Sequence, residues 1–427
     1  MTKGYPKAKI IWLLCASVIT YCFFYIANIY LVRQLSLEEY GDFAVSLKVL
    51  AVLCAFLTIS KQLSLSLYMP QYEKSHRHIQ RNGLALWLGK NLFIAITVLL
   101  TGITLTQIVL YILKNKTFVS VFQHHPWQFI LFFIPIVAFF TVLSCLLLSQ
   151  KQLKNFYAPF ITIIPSILIV VIFTLAIHLL KFSPKLTIYT YFLCQSTTFM
   201  LYIFLSHNYH IPKFLTNISQ GEHGQWYTSP HIYWIGTLSN QISTLLSLIA
   251  LELLSPEDFV GEYAIILLFI TGYIALISPL HTYLASQLGL LLHTHSEKLN
   301  KIIKLIVKIQ SLIVIVGTSI CIAFGRDLLA YIDPNVVFLY PQLIFAMIMF
   351  GIAITTAIPL RILLHASLSE IGMHLKISRL FLCCLFLSIL VPRYGIAGAI
   401  ISDTLPLIIT NMIALSICKR NLNIQFS

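Results

Sequence analysis

Long apolar runs follow one another along this chain, with only short polar stretches between them. A helix that crosses a bilayer needs about 20 predominantly apolar residues, and most of the runs reach that length. Hydrophobic residues make up 58% of the chain and charged residues 10%, against about 45–50% and about 25% in soluble domains. We therefore predict an all-α polytopic membrane protein with about 12 transmembrane helices. The predicted spans cover about residues 10–32, 43–69, 84–113, 127–149, 158–180, 186–206, 232–254, 263–284, 306–324, 338–364, 377–391 and 396–417.

A short polar segment occurs twice, each time between two apolar runs. The first copy is Ser36-Leu-Glu-Glu-Tyr-Gly-Asp-Phe-Ala-Val45, and the second is Ser255-Pro-Glu-Asp-Phe-Val-Gly-Glu-Tyr-Ala-Ile265. The offset of 219 to 220 residues is about half of the 427-residue chain. A duplicated turn at the same place in two hydrophobic halves indicates an internal repeat, as in many secondary transporters. We predict two six-helix bundles, residues 1–209 and 231–427, joined by a cytoplasmic linker at 210–230.

Basic residues are distributed unevenly among the predicted loops. If twelve spans place both termini on one side, fifteen of the 28 Lys and Arg lie on that side and seven on the other. Cytoplasmic loops carry the excess of positive charge in membrane proteins, so we expect both termini in the cytoplasm. These loops would also attract anionic membrane lipids. The net charge of +14 is then a consequence of topology, and we expect no nucleic-acid partner.

Three short motifs lie near the ends of predicted spans. They are Arg33-Gln-Leu-Ser-Leu-Glu-Glu-Tyr-Gly-Asp-Phe43, Val260-Gly-Glu-Tyr263 and Tyr394-Gly-Ile-Ala-Gly-Ala399. Together they resemble the first loop, its second-half counterpart and the start of the last helix in polysaccharide transporters. Those are the Wzx-type flippases of the multidrug/oligosaccharidyl-lipid/polysaccharide exporter superfamily. The resemblance extends over the whole chain in number of helices, loop sizes and spacing of the halves.

The resemblance implies a flippase that works by alternating access. Its substrate would be an undecaprenyl-pyrophosphate-linked oligosaccharide, a unit of O-antigen or another surface polysaccharide. It would lie in the inner membrane of a bacterium, and polysaccharide assembly proteins would be its partners. Relatives often carry an Asp in the seventh helix, where this chain reads Ser239-Asn-Gln-Ile-Ser-Thr244. A coupling step that depends on that acid is therefore not expected here.

Candidate substrate-binding residues follow from the chemistry of the headgroup. A pyrophosphate–sugar unit needs a hydrated path lined with cations and hydrogen-bonding groups, because Arg donates bidentately to phosphate and Lys provides a point charge. The candidates that we select from these residue types, in or beside predicted spans, are Arg33, Lys48, Lys61, Asn240, Gln241 and Arg361. Each kind has a structural alternative. The cations can snorkel to the interface, Arg33 can anchor a turn, and the amides can bond helix to helix.

Two acids, Asp403 and Glu252, are candidates for coupling to a proton or an ion. Either could instead pair with a Lys, and Glu252 lies near the end of its span. The nine cysteines lie in or beside apolar runs, without the spacing of a metal site or a disulfide framework. We expect no metal, no cofactor and no enzymatic activity.

Two other functions remain open at the level of sequence. A membrane polysaccharide polymerase or glycosyltransferase would carry catalytic residues in sizeable outer loops, whereas the longest predicted here have about a dozen residues. A cation-coupled drug exporter of the same superfamily would favour cationic drugs through acids and aromatic residues. The charges within the predicted spans of this chain are mainly positive, which favours an anionic substrate.

Overall fold

Every regular element in the described part of the chain is helical. The computed structural model describes residues 5–58, 230–256, 258–291, 296–365 and 368–421, together with residues 83, 87, 89–98 and 101–102 and a few positions within 134–138 and 167–171. The helices are α1 (Tyr5–Gln34), α2 (Leu37–Thr58), α3 (Pro230–Leu254), α4 (Asp258–Leu291), α5 (Ser296–Ile332), α6 (Tyr340–Thr355), α7 (Ile358–His365) and α8 (Ser369–Asn421), with a 3-10 helix at Pro334–Leu339.

Five segments of the described residues are long and apolar enough to cross a membrane. They are Leu37–Leu57, Asp258–Ser278, Leu299–Ile332, Pro334–Leu364 and Ser369–Asn421. The last has 53 residues, more than twice the roughly 20 residues that one crossing needs. The chain is thus a multi-pass membrane protein. The predicted spans between residues 84 and 206, and most of the linker at 210–230, lie outside the described residues.

Two compact units make up the chain. The first contains residues 1–45 and 235–427, and the second contains residues 46–234. All the contacts discussed below lie within the first unit. The division into bundles 1–209 and 231–427 stays a prediction.

The first copy of the repeated segment is the beginning of a helix, and the prediction of a turn there is wrong. The amide of Ser36 donates to Oε2 of Glu39 at 3.0 Å, and the amide of Glu39 donates to Oγ of Ser36 at 3.2 Å. This reciprocal pair is a capping box, which satisfies two amides at the N-terminus of α2. The polar residues of the segment therefore end one helix and start the next with hardly a loop between them.

Two helices extend further than their apolar runs. Arg326 and Asp327 were predicted in a loop, but α5 continues through both to Ile332. Lys376 was predicted outside a span, but it lies in the third turn of α8. The cause is the same in both places. An apolar run marks the part of a helix that needs a hydrophobic environment, and backbone hydrogen bonding carries the helix beyond that part.

The tenth predicted span is broken near its C-terminal end. α6 ends at Thr355 and α7 begins at Ile358, with Thr356 and Ala357 between them. Pro359 has no amide with which to continue the hydrogen-bond ladder to residue 355. The Nδ2 of Asn411, fully buried in α8, donates to the carbonyl of Ala353 at 3.1 Å and to Oγ1 of Thr356 at 3.2 Å. The break is thus held from the neighbouring helix.

α8 is a helical hairpin that reverses at Gly395. Gly395 has φ +52° and ψ −123°, a conformation that glycine adopts readily because it lacks a Cβ. A Cβ on Gly398 would lie 2.3 Å from the carbonyl oxygen of Leu390, in the preceding arm. The Tyr394–Ala399 motif therefore has a physical basis: its first glycine permits the reversal and its second lets the two arms touch. The arms are residues 369–394 and 396–421.

Candidate functional site

Three cationic side chains come together in the first unit. Arg361 lies on α7, and Lys376 and Arg379 lie one turn apart on the first arm of α8. Lys376 is close enough to both arginines to interact with them electrostatically. Residues three apart on a helix share a face, so Lys376 and Arg379 present their charges in the same direction. We call Arg361, Lys376 and Arg379 the cation cluster.

Accessibility decreases through the cation cluster from Arg361 to Arg379. Arg361 is exposed and Lys376 is half-buried, whereas Arg379 is only 9% exposed. The cation cluster therefore leads from an accessible guanidinium to a buried one.

The apolar core positions α7, and with it Arg361. Ile362 and Leu363, next to Arg361, are completely buried in a cluster that also contains Leu284 of α4 and Ile303 of α5. With its neighbours fixed in this core, Arg361 projects from the opposite side of the short helix.

His281 and Gln310 connect three helices beside the cation cluster. Nε2 of His281 on α4 lies 3.0 Å from Oε1 of Gln310 on α5, and both side chains are buried. Nε2 of Gln310 donates to the carbonyl of Ile354, near the C-terminal end of α6. Arg361 is within electrostatic range of His281. The two polar residues thus fix the end of α6 at the break that precedes Arg361.

Asp403, on the second arm of α8, is buried among hydrogen-bond donors. It is 4% exposed. The Oγ of Ser247 donates to Oδ1 at 2.5 Å, the hydroxyl of Tyr263 donates to Oδ2 at 2.6 Å, and Sγ of Cys383 lies 3.8 Å from Oδ1. Arg379 interacts electrostatically with this carboxylate. The reversal at Gly395 brings the two charges together across 24 residues of sequence.

Arg33 contacts the end of another helix. Its Nε donates to the carbonyl of Ile332 at 3.1 Å, and its Nη2 donates to the carbonyl of Tyr331. The guanidinium carbon also lies 4.9 Å from the centroid of the Tyr331 ring. A cation at the C-terminal carbonyls of a helix stabilises that end. In this structure Arg33 anchors α1 to α5, which is the structural alternative that the sequence leaves open.

The other predicted residues are dispersed. Lys48 is half-buried in the second unit, Gln241 is half-buried in α3, and Glu252 is half-buried in the last turn of α3. The backbone of Asn240 is helical, but its side chain lies outside the described residues, as does the whole of Lys61. Thus two of the predicted residues come together in the structure: Arg361 belongs to the cation cluster, and Asp403 interacts with its member Arg379.

In the segment 239–244 of the seventh predicted span, the hydroxyl groups of two serines donate hydrogen bonds to backbone carbonyls. The hydroxyl of Ser239 donates to the carbonyl of Lys376 at 2.9 Å, and that of Ser243 donates to the carbonyl of Ser239 at 2.8 Å. The first bond joins α3 to α8 beside the cation cluster. Hydrogen bonding between helices therefore accounts for Ser239.

Sequence reasoning missed Lys376 and Arg379 as site residues. It assigned Lys376 to the loop before the eleventh span and gave Arg379 no role. One signal could have identified them. The eleventh predicted span has only about 15 residues, and a crossing needs about 20. The helix therefore had to begin earlier and to include Lys376 together with Arg379, which already lay within the predicted span.

In the described residues, no group of three or more His, Cys, Asp or Glu side chains could hold a metal ion. Guanidinium and ammonium groups bind phosphate oxygens through charge-assisted hydrogen bonds, which are roughly twice as strong as neutral ones.

The chain belongs to the family described as polysaccharide biosynthesis protein, which it matches over residues 7–282. That family is part of the multidrug/oligosaccharidyl-lipid/polysaccharide exporter superfamily. The resemblance inferred from the three motifs is thereby confirmed. No curated protein matches the sequence.

Solved structures of the same superfamily have a similar fold. A crystal structure of MATE in complex with MaD5 superposes with a TM-score of 0.70 at 14% identity, covering 99% of this chain and 97% of that one. The outward-facing conformation of a multidrug resistance MATE family transporter gives 0.69 at 14% identity, with the same coverage. A mutant of the Vibrio cholerae MATE transporter VcmN gives 0.67 at 14% identity, covering 98% of each chain. The predicted fold class of 12 membrane helices in two bundles is confirmed by these neighbours.

Proposed function

We propose that this protein is a flippase for lipid-linked oligosaccharides. It moves undecaprenyl-pyrophosphate-linked units of O-antigen or another surface polysaccharide from the cytoplasmic to the outer face of a bacterial inner membrane by alternating access, with both termini in the cytoplasm. The observation that carries the proposal is the cation cluster in a chain of the polysaccharide biosynthesis family. The cluster supplies positive charge where a diphosphate would need it.

The energetics of the cation cluster favour a polyanionic substrate. A charged side chain at the centre of a span costs roughly 2.5–3.5 kcal/mol on insertion scales. Cations in electrostatic contact, such as Lys376 with Arg361 and Arg379, add repulsion to that cost. A diphosphate relieves the repulsion and supplies oxygens for bidentate and single donors. Polar Gln241 and Asn240 would contact sugar hydroxyls elsewhere on the path.

The remaining predicted residues have roles that depend on this function. Lys48 and Lys61 would contact the headgroup at other depths, and Arg33 would lie on its outward path. Glu252 and Asp403 stay candidates for coupling to a proton or an ion. Anionic lipids at the cytoplasmic loops and polysaccharide assembly proteins are the partners that we expect.

A second candidate function is drug export. The similar solved structures include one described as a multidrug resistance transporter, and the identities of 12–15% among the matched structures carry the fold alone. The cation cluster discriminates between the two candidates, because three adjacent positive charges repel the cationic drugs that such an exporter would bind. A drug-sensitivity profile that is unchanged by deletion of the gene supports the flippase.

The decisive experiment is transport by the purified protein. Proteoliposomes would contain a fluorescent undecaprenyl-diphosphate-linked sugar, and a membrane-impermeant quencher would report its movement between leaflets. We expect the full-length protein to accelerate this movement over protein-free liposomes. A deletion strain should accumulate the cytoplasmic-facing lipid-linked sugar, and re-expression should relieve it. The proposal would be overturned if the labelled lipid moves no faster than in protein-free liposomes and the deletion strain does not accumulate the lipid-linked sugar.

A further inference from the structure

Asp403 is surrounded in a way that keeps its carboxylate in one place. Its donors come from α3 (Ser247), α4 (Tyr263) and the first arm of α8 (Cys383), and it lies itself on the second arm. Each oxygen accepts one short bond from a hydroxyl group, at 2.5 and 2.6 Å. Bonds of that length from O–H to a carboxylate are typical of strong charge-assisted hydrogen bonds. The carboxylate is therefore held from three helices.

Arg379 is the member of the cation cluster that interacts electrostatically with this carboxylate. Arg379 and Cys383 are four residues apart and so share a helix face, and Cys383 touches Asp403. Arg379 also interacts electrostatically with Lys376, which in turn interacts with Arg361. Arg379 itself is attracted by Asp403. The guanidinium is thus shared between a fixed anion and the place that the proposed function assigns to the diphosphate.

We propose that Asp403 is a positioning residue that competes with the diphosphate for Arg379. Before substrate binds, the carboxylate holds Arg379 at the inner end of the cation cluster. When the diphosphate enters, the guanidinium turns to its oxygens, and when the diphosphate leaves, Asp403 takes the guanidinium back. This inference rests on the proposed function, and it needs no proton or ion to move. It assigns Asp403 a role that differs from coupling.

Competition by Asp403 should lower the affinity for the diphosphate and raise the rate of turnover. A fixed negative charge beside Arg379 weakens diphosphate binding, because part of the attraction of Arg379 is already satisfied. The same charge speeds release, because it restores the empty arrangement. A site that held its substrate with no competitor would bind tightly and turn over slowly, since uniform tightening of binding does not accelerate a transport step.

The test uses the purified full-length protein and farnesyl diphosphate as the binding probe, with farnesol and inorganic pyrophosphate to separate tail from headgroup. For Asp403→Asn, which keeps the shape and removes the charge, we expect diphosphate affinity to rise by about 5-fold or more. Transport in proteoliposomes should fall by about 10-fold. Asp403→Glu restores the charge and should return both measurements towards wild type. A residue that is merely structural would lower binding and transport together.

Two further variants keep the test decisive. Asp327→Asn makes the same change of charge at an exposed position of α5 and should leave both measurements unchanged. Tyr263→Phe removes one donor from the carboxylate without changing its charge, so that Asp403 can turn further towards Arg379. We expect this variant to bind farnesyl diphosphate more weakly than wild type, the opposite sign from Asp403→Asn. Tyr263→Phe still tests the competition if Asp403→Asn does not fold.

The outcomes separate the two proposals. If the wild type binds farnesyl diphosphate but Asp403→Asn binds it no more tightly, or Tyr263→Phe no more weakly, the competition is overturned and the flippase stands. If the wild type binds neither farnesyl diphosphate nor pyrophosphate above farnesol, the diphosphate site itself is overturned. A transport rate that depends on a proton or sodium gradient in the wild type and not in Asp403→Asn would assign Asp403 to coupling and overturn the positioning role.

Discussion

Gly41 and Gly261 lie against each other where the two copies of the repeated segment cross. A Cβ added to Gly41 would lie 3.0 Å from the backbone nitrogen of Gly261. A Cβ added to Gly261 would lie 1.9 Å from the carbonyl oxygen of Leu37. The first turns of α2 and α4 therefore approach each other backbone to backbone, as small residues allow in membrane helices. The glycine in each copy has a packing role, and the two copies fulfil it for one another.

Alanine at Gly261 should destabilise the protein more than alanine at Gly41. The clash at Gly261 is with backbone, which cannot move aside, whereas the contacts at Gly41 are longer, at 3.0 to 3.2 Å, and include the side chain of Val260. Overpacking costs about 1–3 kcal/mol and occasionally more. We expect Gly261→Ala to lower the melting temperature in detergent strongly and Gly41→Ala to lower it less. Gly89→Ala is the matched control, because nothing lies within 4 Å of the added carbon.

Gly395→Ala should destabilise the α8 hairpin for two separable reasons. The backbone has φ +52°, and an added Cβ would lie 2.7 Å from the ring of Phe259. Such a backbone conformation costs a residue other than glycine about 1–3 kcal/mol. The double variant Gly395→Ala with Phe259→Ala removes the clash and leaves the strain. We expect it to be more stable than the sum of the two single changes predicts, by thermal unfolding of all four proteins; strict additivity would contradict the contact.

The sequence predicted the helical class and the repeat well, because both depend on local pattern. Runs of apolar residues define spans, and the segments that begin at Ser36 and Ser255 repeat one pattern of residues. It did not predict that Gly41 touches Gly261, nor that Arg379 lies beside Asp403, since these contacts depend on how helices cross. Arg33 shows the same limit: its residue type fits both phosphate binding and a helix end, and only the carbonyls that it contacts distinguish them.

Replacing Arg33 should lower stability more than it alters substrate recognition. Arg33→Ala removes two hydrogen bonds to the end of α5 and the contact with the ring of Tyr331. A cation at a helix C-terminus and a cation over an aromatic ring are each worth about 0.5–1 kcal/mol when exposed. We expect a lower melting temperature with unchanged affinity for farnesyl diphosphate. Gln34→Ala, at the next exposed position, is the control; a loss of affinity at equal stability would instead assign Arg33 to the substrate.

Neutralising a residue of the cation cluster should lower transport without lowering the stability of the protein. Arg361→Gln and Lys376→Gln each remove a charge that a diphosphate would contact, so we expect transport to fall by about 10-fold or more. Stability should stay the same or rise, because removing one of several adjacent cations relieves repulsion. Transport in proteoliposomes and melting in detergent measure the two effects. Arg420→Gln, exposed at the end of α8, should change neither, and a parallel fall of stability and transport would show a structural role only.

Removing one partner of the buried His281–Gln310 pair should destabilise the protein more than replacing both partners with apolar residues. Gln310→Ala leaves the buried ring nitrogen of His281 without its partner, and an unsatisfied buried group costs about 1–3 kcal/mol. The carbonyl of Ile354 loses Gln310 but keeps the amide of Ala357. The double variant Gln310→Leu with His281→Phe removes two of the three polar groups at once. We expect it to be more stable than Gln310→Ala, and the melting temperatures of the two variants measure the difference. Gln310 fixes the end of α6 next to the break that precedes Arg361. Gln310→Ala should therefore also weaken the binding of farnesyl diphosphate. Equal affinity in both variants and the wild type would show that the His281–Gln310 pair and the cation cluster are independent.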